Sequence, residues 1–440
     1  MTATRALQVP ICAASLVFFR VGFGVLMLWS LLRFWARGWI QAYYLDPTFH
    51  FTYSGLAWIK PWTAYGLPAW TLYAHVLVLC VACLAIAAGV FYRTACAVFF
   101  LGFTYLELID KTFYLNHYYA ISLLALLLCF LPLDHSFSLR VPRLVPLPQW
   151  PLWLLRFQVG LIYFFAGLAK VNGDWLWAAE PLRRWLPALS NTPLIGALFL
   201  IPVLPWLMSW GGMLFDLTIP FWMSQSRWRP YAYGGVLGFH LLTAWLFPIG
   251  LFPWLMMFLA LLFFAPDWPL RLIGRHPPVD RDVGDFSGAL LSPGRRWVLG
   301  LFLLWQCVMP LRHWVYPGNV LWTEEGFRFA WHVMLIEKTG WVEFTLKDPE
   351  SGRFWVVSPR DLTPFQQRMM STQPDMILQY AHHLVAQRVA QYPHIEVYAE
   401  SYAALNGRPS QPLINPQVNL RHFGHDLWPK SFVMPLKPIQ

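Results

Sequence analysis

Long apolar stretches restrict the fold of this chain more than any other feature. Apolar runs occur near residues 11–32, 70–91, 95–109, 117–132, 152–170, 203–224, 231–247, 251–265 and 297–311. A bilayer span needs roughly 17–25 apolar residues, and lipid does not tolerate irregular backbone. Each run therefore predicts a helix, and the set predicts an α-helical integral membrane bundle of about nine transmembrane helices. Composition agrees, because charged residues make up only 12% of the 440 positions and hydrophobic ones 57%. Ordinary soluble domains carry roughly 25% charged residues. A disordered chain, a coiled coil and a small disulfide scaffold are excluded. The first run begins after Arg5, is interrupted by Arg20 and continues to Leu32, with no small-residue cleavage site closing a short apolar segment. It reads as a span rather than a cleavable signal.

The excess of ten positive charges lies wholly before residue 317, since residues 317–440 carry eleven bases and eleven acids. A basic chain suggests nucleic acid, but here the arginines fall in short gaps between apolar runs and read as topology signals. With the N-terminus inside, the inner gaps hold Arg5, Arg93, Arg140, Arg143, Arg227, Arg229, Arg271, Arg275, Arg281, Arg295 and Arg296. The outer gaps hold only Arg33, Arg37, Lys60, Lys111, Arg183 and Arg184. This bias favours a cytoplasmic N-terminus, a Pro/Gly/Asp-rich inner loop at 276–294, and an extracytoplasmic tail. The expected division is a transmembrane domain over 1–311 and a soluble domain over 312–440.

The tail is a different material. Trp341–Leu346, Arg353–Val357 and Ile395–Tyr402 alternate in part with period two, and Met376, Ile377, Tyr380, Leu384 and Arg388 have helical spacing. A mixed, mostly β outer domain follows. The tail has no cysteine; Cys12, Cys80, Cys83, Cys96, Cys129 and Cys307 all lie in or beside apolar runs, where free Cys packs as a small hydrophobe. His382, His383, His394, His422 and His425 show no tight ligand spacing with acids, so no metal site is expected. P-loop, G-x-G-x-x-G, H-E-x-x-H and G-x-S-x-G motifs do not occur.

Ionisable residues inside apolar runs are functional candidates by default, because burying a charge in a span is costly. Arg20, Glu107, Asp110, Lys111, Asn116, His117, Lys170, Asp216 and His240 form this set. Plainer readings stand beside the functional ones. Arg20 and Asp216 form a structural pair; His240 is a hydrogen-bonded packing residue; Lys170 snorkels from a helix end. Asn116 caps a helix with His117 as its interfacial neighbour. Glu107 and Asp110 pair with Lys111 or water. The alternating topology brings Lys170, Asn116, His117, the Pro248-Ile249-Gly250 turn and the tail to one membrane face. A polar cluster there, roofed by the tail, suits an enzyme whose polar substrate comes from outside and whose apolar cofactor comes from lipid.

Several motifs resemble those of the vitamin K-dependent γ-glutamyl carboxylase family. They are Tyr163-Phe-Phe-Ala-Gly-Leu-Ala-Lys-Val-Asn-Gly-Asp-Trp175, Leu108-Ile-Asp-Lys-Thr-Phe-Tyr-Leu-Asn-His-Tyr118, Phe19-Arg-Val-Gly-Phe-Gly24, Phe91-Tyr-Arg-Thr-Ala-Cys96, Phe239-His240, Phe247-Pro-Ile-Gly-Leu-Phe252, Ala265-Pro-Asp-Trp268 and Gly326-Phe-Arg-Phe-Ala-Trp-His-Val-Met334. They run in collinear order over nearly the whole chain. The resemblance implies an enzyme that oxygenates vitamin K hydroquinone, of the phylloquinone or menaquinone type, to its epoxide. It implies that the resulting strong base lets CO2 carboxylate glutamate side chains of a peptide or protein partner. It implies Lys170 as the base toward the hydroquinone, Asn116 and His117 as supports for the quinone oxygens, and His313 near the reacting centre. Ile249, Phe252, Trp331 and Met334 fall where the family lines its quinone pocket. A lysine acting as a base must be uncharged, which desolvation at an apolar helix end favours. On that view, removing Lys170 is expected to cost little stability.

The chain departs from the animal enzymes at Ala169, where they carry a second lysine, and at Phe327, where they carry a tyrosine. It also lacks their outer-domain disulfide and is shorter, which points to a bacterial homologue. Two other functions stay open: a quinone epoxidase of the same fold without carboxylation, and a non-catalytic membrane quinone-binding or transport protein.

Overall fold

A computed structural model describes residues 7–276 and 290–437. Arg5, Arg281 and most of the 276–294 loop lie outside the described residues. The apolar runs all form helices: α1 (Ala14–Ala36), α2 (Trp70–Ala88), α3 (Tyr92–Ile109), α4 (Asn116–Phe130), α5 (Trp150–Ala169), α6 (Leu204–Ser224), α7 (Arg229–Leu246), α8 (Phe252–Ala260) and α9 (Pro293–Val308). A 3-10 stretch, Met309–Val315, prolongs α9. A short two-stranded ladder of β1 (Pro10–Ile11) and β2 (Leu147–Pro148) ties the chain before α1 to the chain before α5.

Among the described residues, five helices are long and apolar enough to cross a membrane: α1, α2, α3, α5 and α9 with its extension. The count of nine spans is therefore not confirmed. α4 has 15 residues, or about 22 Å at 1.5 Å per residue, short of the roughly 30 Å hydrocarbon core. α8 is shorter still. α6 and α7 are diluted by Trp, Tyr, Gly, Pro, His and Asp216.

α1 packs on α2, α2 on α3, α3 on α4, and α5 on α6. Arg20, buried in α1, donates to the carbonyls of Leu133 (2.6 Å), Phe137 (2.6 Å), Ser136 (3.1 Å) and Ala87 (3.3 Å). The expected Arg20–Asp216 pair does not form: unsatisfied carbonyls at helix ends attract the guanidinium instead. Glu107 receives the Ser122 hydroxyl at 2.8 Å, and Asp110 serves Thr112, His50 and Gln366. Lys111 pairs with neither of these acids but with Asp375 of the tail at 2.8 Å.

The tail is mixed α+β rather than mostly β. Its antiparallel sheet has the order β4-β3-β5-β6, from β3 (Lys338–Lys347), β4 (Phe354–Val357), β5 (Glu396–Leu405) and β6 (Gln411–Pro412). The period-two positions Val342, Phe344, Leu346, Val397, Ala399 and Ala403 turn one face inward, with Phe344 opposite Ala399. Onto this face packs α11 (Pro374–Arg388), preceded by α10 (Pro364–Met370). Met376, Ile377, Tyr380 and Leu384 of α11 are buried at helical spacing, with the Tyr380 and Phe344 rings 5.2 Å apart.

Two apolar cores result. One fills the helical bundle. The other joins the tail to Trp175, Leu176, Leu182, Leu186, Phe199 and Met213. The segment just after α5 thus belongs to the tail's core, and the end of α5 marks where the two cores meet.

Candidate active site

Lys170 closes α5, and its N–H reaches back to the Gly167 carbonyl. The side chain does not snorkel; the residue is 5% exposed. Its Nζ donates to Asp216 Oδ2 at 2.8 Å and to the Ala166 carbonyl at 3.1 Å, and lies 5.5 Å from the centre of the Trp175 ring. A cation at a helix C-terminus also meets the negative end of the helix dipole. The α5–α6 contact that makes the pair possible depends on Gly167. A Cβ there would come within 2.7 Å of the Leu217 backbone nitrogen, next to Asp216.

The pair opens on a mainly apolar cavity of about 80 Å³. Ile249, Phe252 and Met334 line it with Lys170 and Asp216, and so does His240. Six of the positions read from the sequence therefore share one apolar chamber. His240 hydrogen-bonds through Nε2 to the Tyr163 hydroxyl at 2.8 Å.

The remaining positions, His117, Asn116, Trp331 and His313, do not line this chamber. His117 is buried, with its ring 6.3 Å from that of Phe252. Asn116 is the first residue of α4 rather than its cap; Leu115 holds the cap position. Asn116 Nδ2 donates to the His332 carbonyl at 3.0 Å, and its Oδ1 accepts from the Tyr114 hydroxyl. That hydroxyl accepts in turn from the Phe329 N–H at 2.7 Å. Trp331 is fully buried against Tyr119. His313 sits elsewhere: it lines a second hollow with His332, Asn172 and Asp174, on the other side of the 165–174 segment. The His313 and His332 rings are 5.0 Å apart. Burial, and then His313, push the His332 imidazole down to about 3.

The strand of chain over the chamber is strained. Phe329, Trp331 and Met334 have φ of 61°, 60° and 58°, a region that bulky residues avoid at a cost of about 1–3 kcal/mol each. Asn116, Tyr114 and Asn406, whose Nδ2 donates to the Leu335 carbonyl, hold this backbone in place. Asn406 and Arg408 also bind Asp174, with Arg408 reaching both carboxylate oxygens at 2.6 and 2.7 Å. The tail thereby grips the loop four residues beyond Lys170.

Asp216 is the candidate residue that sequence reasoning paired wrongly. Its signal, an acid inside an apolar helix, was visible; its partner was not. Among the described residues no group of three or more His, Cys, Asp or Glu side chains has metal-holding geometry.

A helical bundle bearing a buried Lys–Asp pair beneath a docked α+β tail defines a multi-pass membrane protein, and the HTTM domain family model matches residues 9–268. The model described as vitamin K-dependent gamma-carboxylase, lumenal domain, matches residues 293–438. The chain belongs to the vitamin K-dependent γ-carboxylase family. No solved structure matches it.

Proposed function

We propose that this protein is an enzyme that oxygenates vitamin K hydroquinone to its epoxide and couples that reaction to carboxylation of glutamate side chains by CO2. The observation that carries this reading is the Lys170–Asp216 pair, buried at the edge of an apolar chamber. The lining suits an apolar ring that carries polar oxygens: Ile, Leu, Phe, Met and Trp side chains dominate it, with Tyr163, Lys170, Asp216, His240 and Thr243 as its polar groups. When bound, the hydroquinone with O2 supplies a base strong enough for the γ-carbon of glutamate, which no amine can deprotonate.

The protein's own contribution is to hold the ring and move the first proton. An ammonium accepts no proton until it gives one up. Asp216 Oδ2, at 2.8 Å, is the group placed to receive it, which leaves the amine free to take a phenolic proton. Proton transfer inside the pair separates no charge, which matters where water is excluded. Ile249, Phe252 and Met334 form part of the walls, while Trp331 packs in the bundle core against Tyr119. Asn116 acts through the His332 carbonyl, and His117 through Phe252. His313, in the second hollow, faces the side from which a glutamate-containing peptide or protein enters. A cytoplasmic N-terminus, an extracytoplasmic tail beyond residue 311 and a bacterial inner membrane belong to the same proposal.

The test is oxygen uptake and epoxide formation by the protein in lipid nanodiscs, with labelled bicarbonate and a glutamyl peptide. Lys170→Ala is expected to abolish epoxide formation while the protein still inserts. Epoxide formed at the wild-type rate by that variant overturns the mechanism. Epoxide without label in the wild type limits the function to quinone epoxidation, and quinone binding without oxygen uptake makes it a binding protein.

A further inference from the structure

The mechanism above uses the Lys170–Asp216 pair, and a second titratable group of the same lining is left over. That group is His240, in the middle of α7 and 1% exposed. Its ring is fixed: Nε2 faces the Tyr163 hydroxyl at 2.8 Å, and the rings of Phe239 and Phe252 lie at 5.2 and 6.1 Å. Nδ1 is buried and meets no hydrogen-bond partner among the described residues. A buried polar atom without a partner costs about 1–3 kcal/mol and calls for an explanation. The polar side chains that share the lining, Tyr163, Lys170, Asp216 and Thr243, make no hydrogen bond to Nδ1.

We propose that His240 Nδ1 is the hydrogen-bonding site for the ring oxygen remote from Lys170. This inference rests on the reading of the chamber as a hydroquinone site, and adds a binding residue to it. A ring with two para oxygens presents one at each edge. The Lys170–Asp216 pair meets one and His240 the other, so the ligand is fixed in a single orientation. The Tyr163 contact suits this task. A hydroxyl donates or accepts, so either imidazole tautomer keeps the Nε2 bond. With Nε2 protonated, Nδ1 accepts from a phenolic O–H; with Nδ1 protonated, it donates to a ketone oxygen. One histidine thereby recognises both the reduced ligand and its oxidised product.

Two isosteric substitutions separate this role from simple packing. Asn at 240 places a polar atom near Nδ1 and loses the Tyr163 contact. Gln places one near Nε2, keeps that contact and loses Nδ1. Binding of menadione, which is not turned over, is read from quenching of tryptophan fluorescence, since Trp175 lines the chamber. KM and kcat come from hydroquinone-dependent oxygen uptake. His240→Gln is expected to raise Kd and KM about tenfold, the loss of one hydrogen bond, while kcat changes less. His240→Asn is expected to stay within about threefold of wild type. A naphthol bearing a single ring oxygen is expected to bind wild type and His240→Gln equally. The reverse order of the two variants, with Asn impaired and Gln unaffected, overturns the proposal and leaves His240 a packing residue. Failure of the wild type to bind menadione saturably removes the reading of the chamber, and this inference with it.

Discussion

The Lys170–Asp216 pair sets a stability prediction opposite to the one suggested by a lone desolvated lysine. Replacing Lys170 by Met removes the cation and leaves a carboxylate whose side chain is only 7% exposed. Breaking a buried pair in this way costs about 3–5 kcal/mol. Replacing Asp216 by Leu instead leaves the ammonium, which keeps the Ala166 carbonyl at 3.1 Å and the Trp175 ring. A desolvated cation–π contact returns about 2 kcal/mol, so this variant is expected to lose less, about 1–3 kcal/mol. The double variant Lys170→Met/Asp216→Leu leaves no orphaned charge and is expected within about 1 kcal/mol of wild type. Unfolding in detergent, followed by tryptophan fluorescence against denaturant, gives the four corners of the cycle. The expected order of stability is wild type and double variant together, then Asp216→Leu, then Lys170→Met. Additive losses in the double variant refute the coupling. A Lys170→Met protein as stable as wild type shows that the amine was strained rather than paired.

Gly167→Ala places a Cβ 2.7 Å from the Leu217 nitrogen. It is expected to cost about 1–3 kcal/mol by overpacking and to cut hydroquinone-dependent oxygen uptake at least tenfold by shifting Asp216; unchanged uptake means that the α5–α6 spacing does not set the pair. Burial pushes His332 down to about 3 and His425 down to about 4, from 6.5. The unfolded chain therefore binds these protons first, and the stability they confer is complete above pH 6.5 and falls as pH drops toward 4. Asn at either position is expected to flatten that fall in unfolding midpoint, and an unaltered slope in both variants refutes it. Asp375 enters only at lower pH. Against the cost of burial, Arg328 and Lys111 hold its carboxyl well below 3.8, so its contribution is present above pH 3.8 and is lost below it.

The helices, the strands around 338–347, 354–357 and 396–405, and α11 were legible because hydropathy and period are local properties. The partners of the buried charges were not, and α6 shows why. Asp216 lies twelve residues into that helix, or about 18 Å at 1.5 Å per residue. Read as a uniform span, α6 puts it mid-membrane, level with no base on α5. In the structure the first turns of α6 do not pack in the membrane bundle. Met208, Trp210, Met213 and Leu217 join the tail's core, and the helix joins the bundle core from Phe215 onward, with Ile219 and Met223. Asp216 therefore stands level with the end of α5, beside Lys170. Depth along a helix is set by what its flanks pack against, and for α6 that partner lies up to some two hundred residues away in sequence. The same offset explains the placing of the chemistry. Where one helix bridges two cores, a buried ion pair sits at their seam, open to an apolar chamber on the bundle side and gripped through Asp174 and Arg408 by the tail. On the proposed function, a ring arriving from lipid and a carboxylate arriving in water would reach the two hollows that flank the same short segment, residues 165–174.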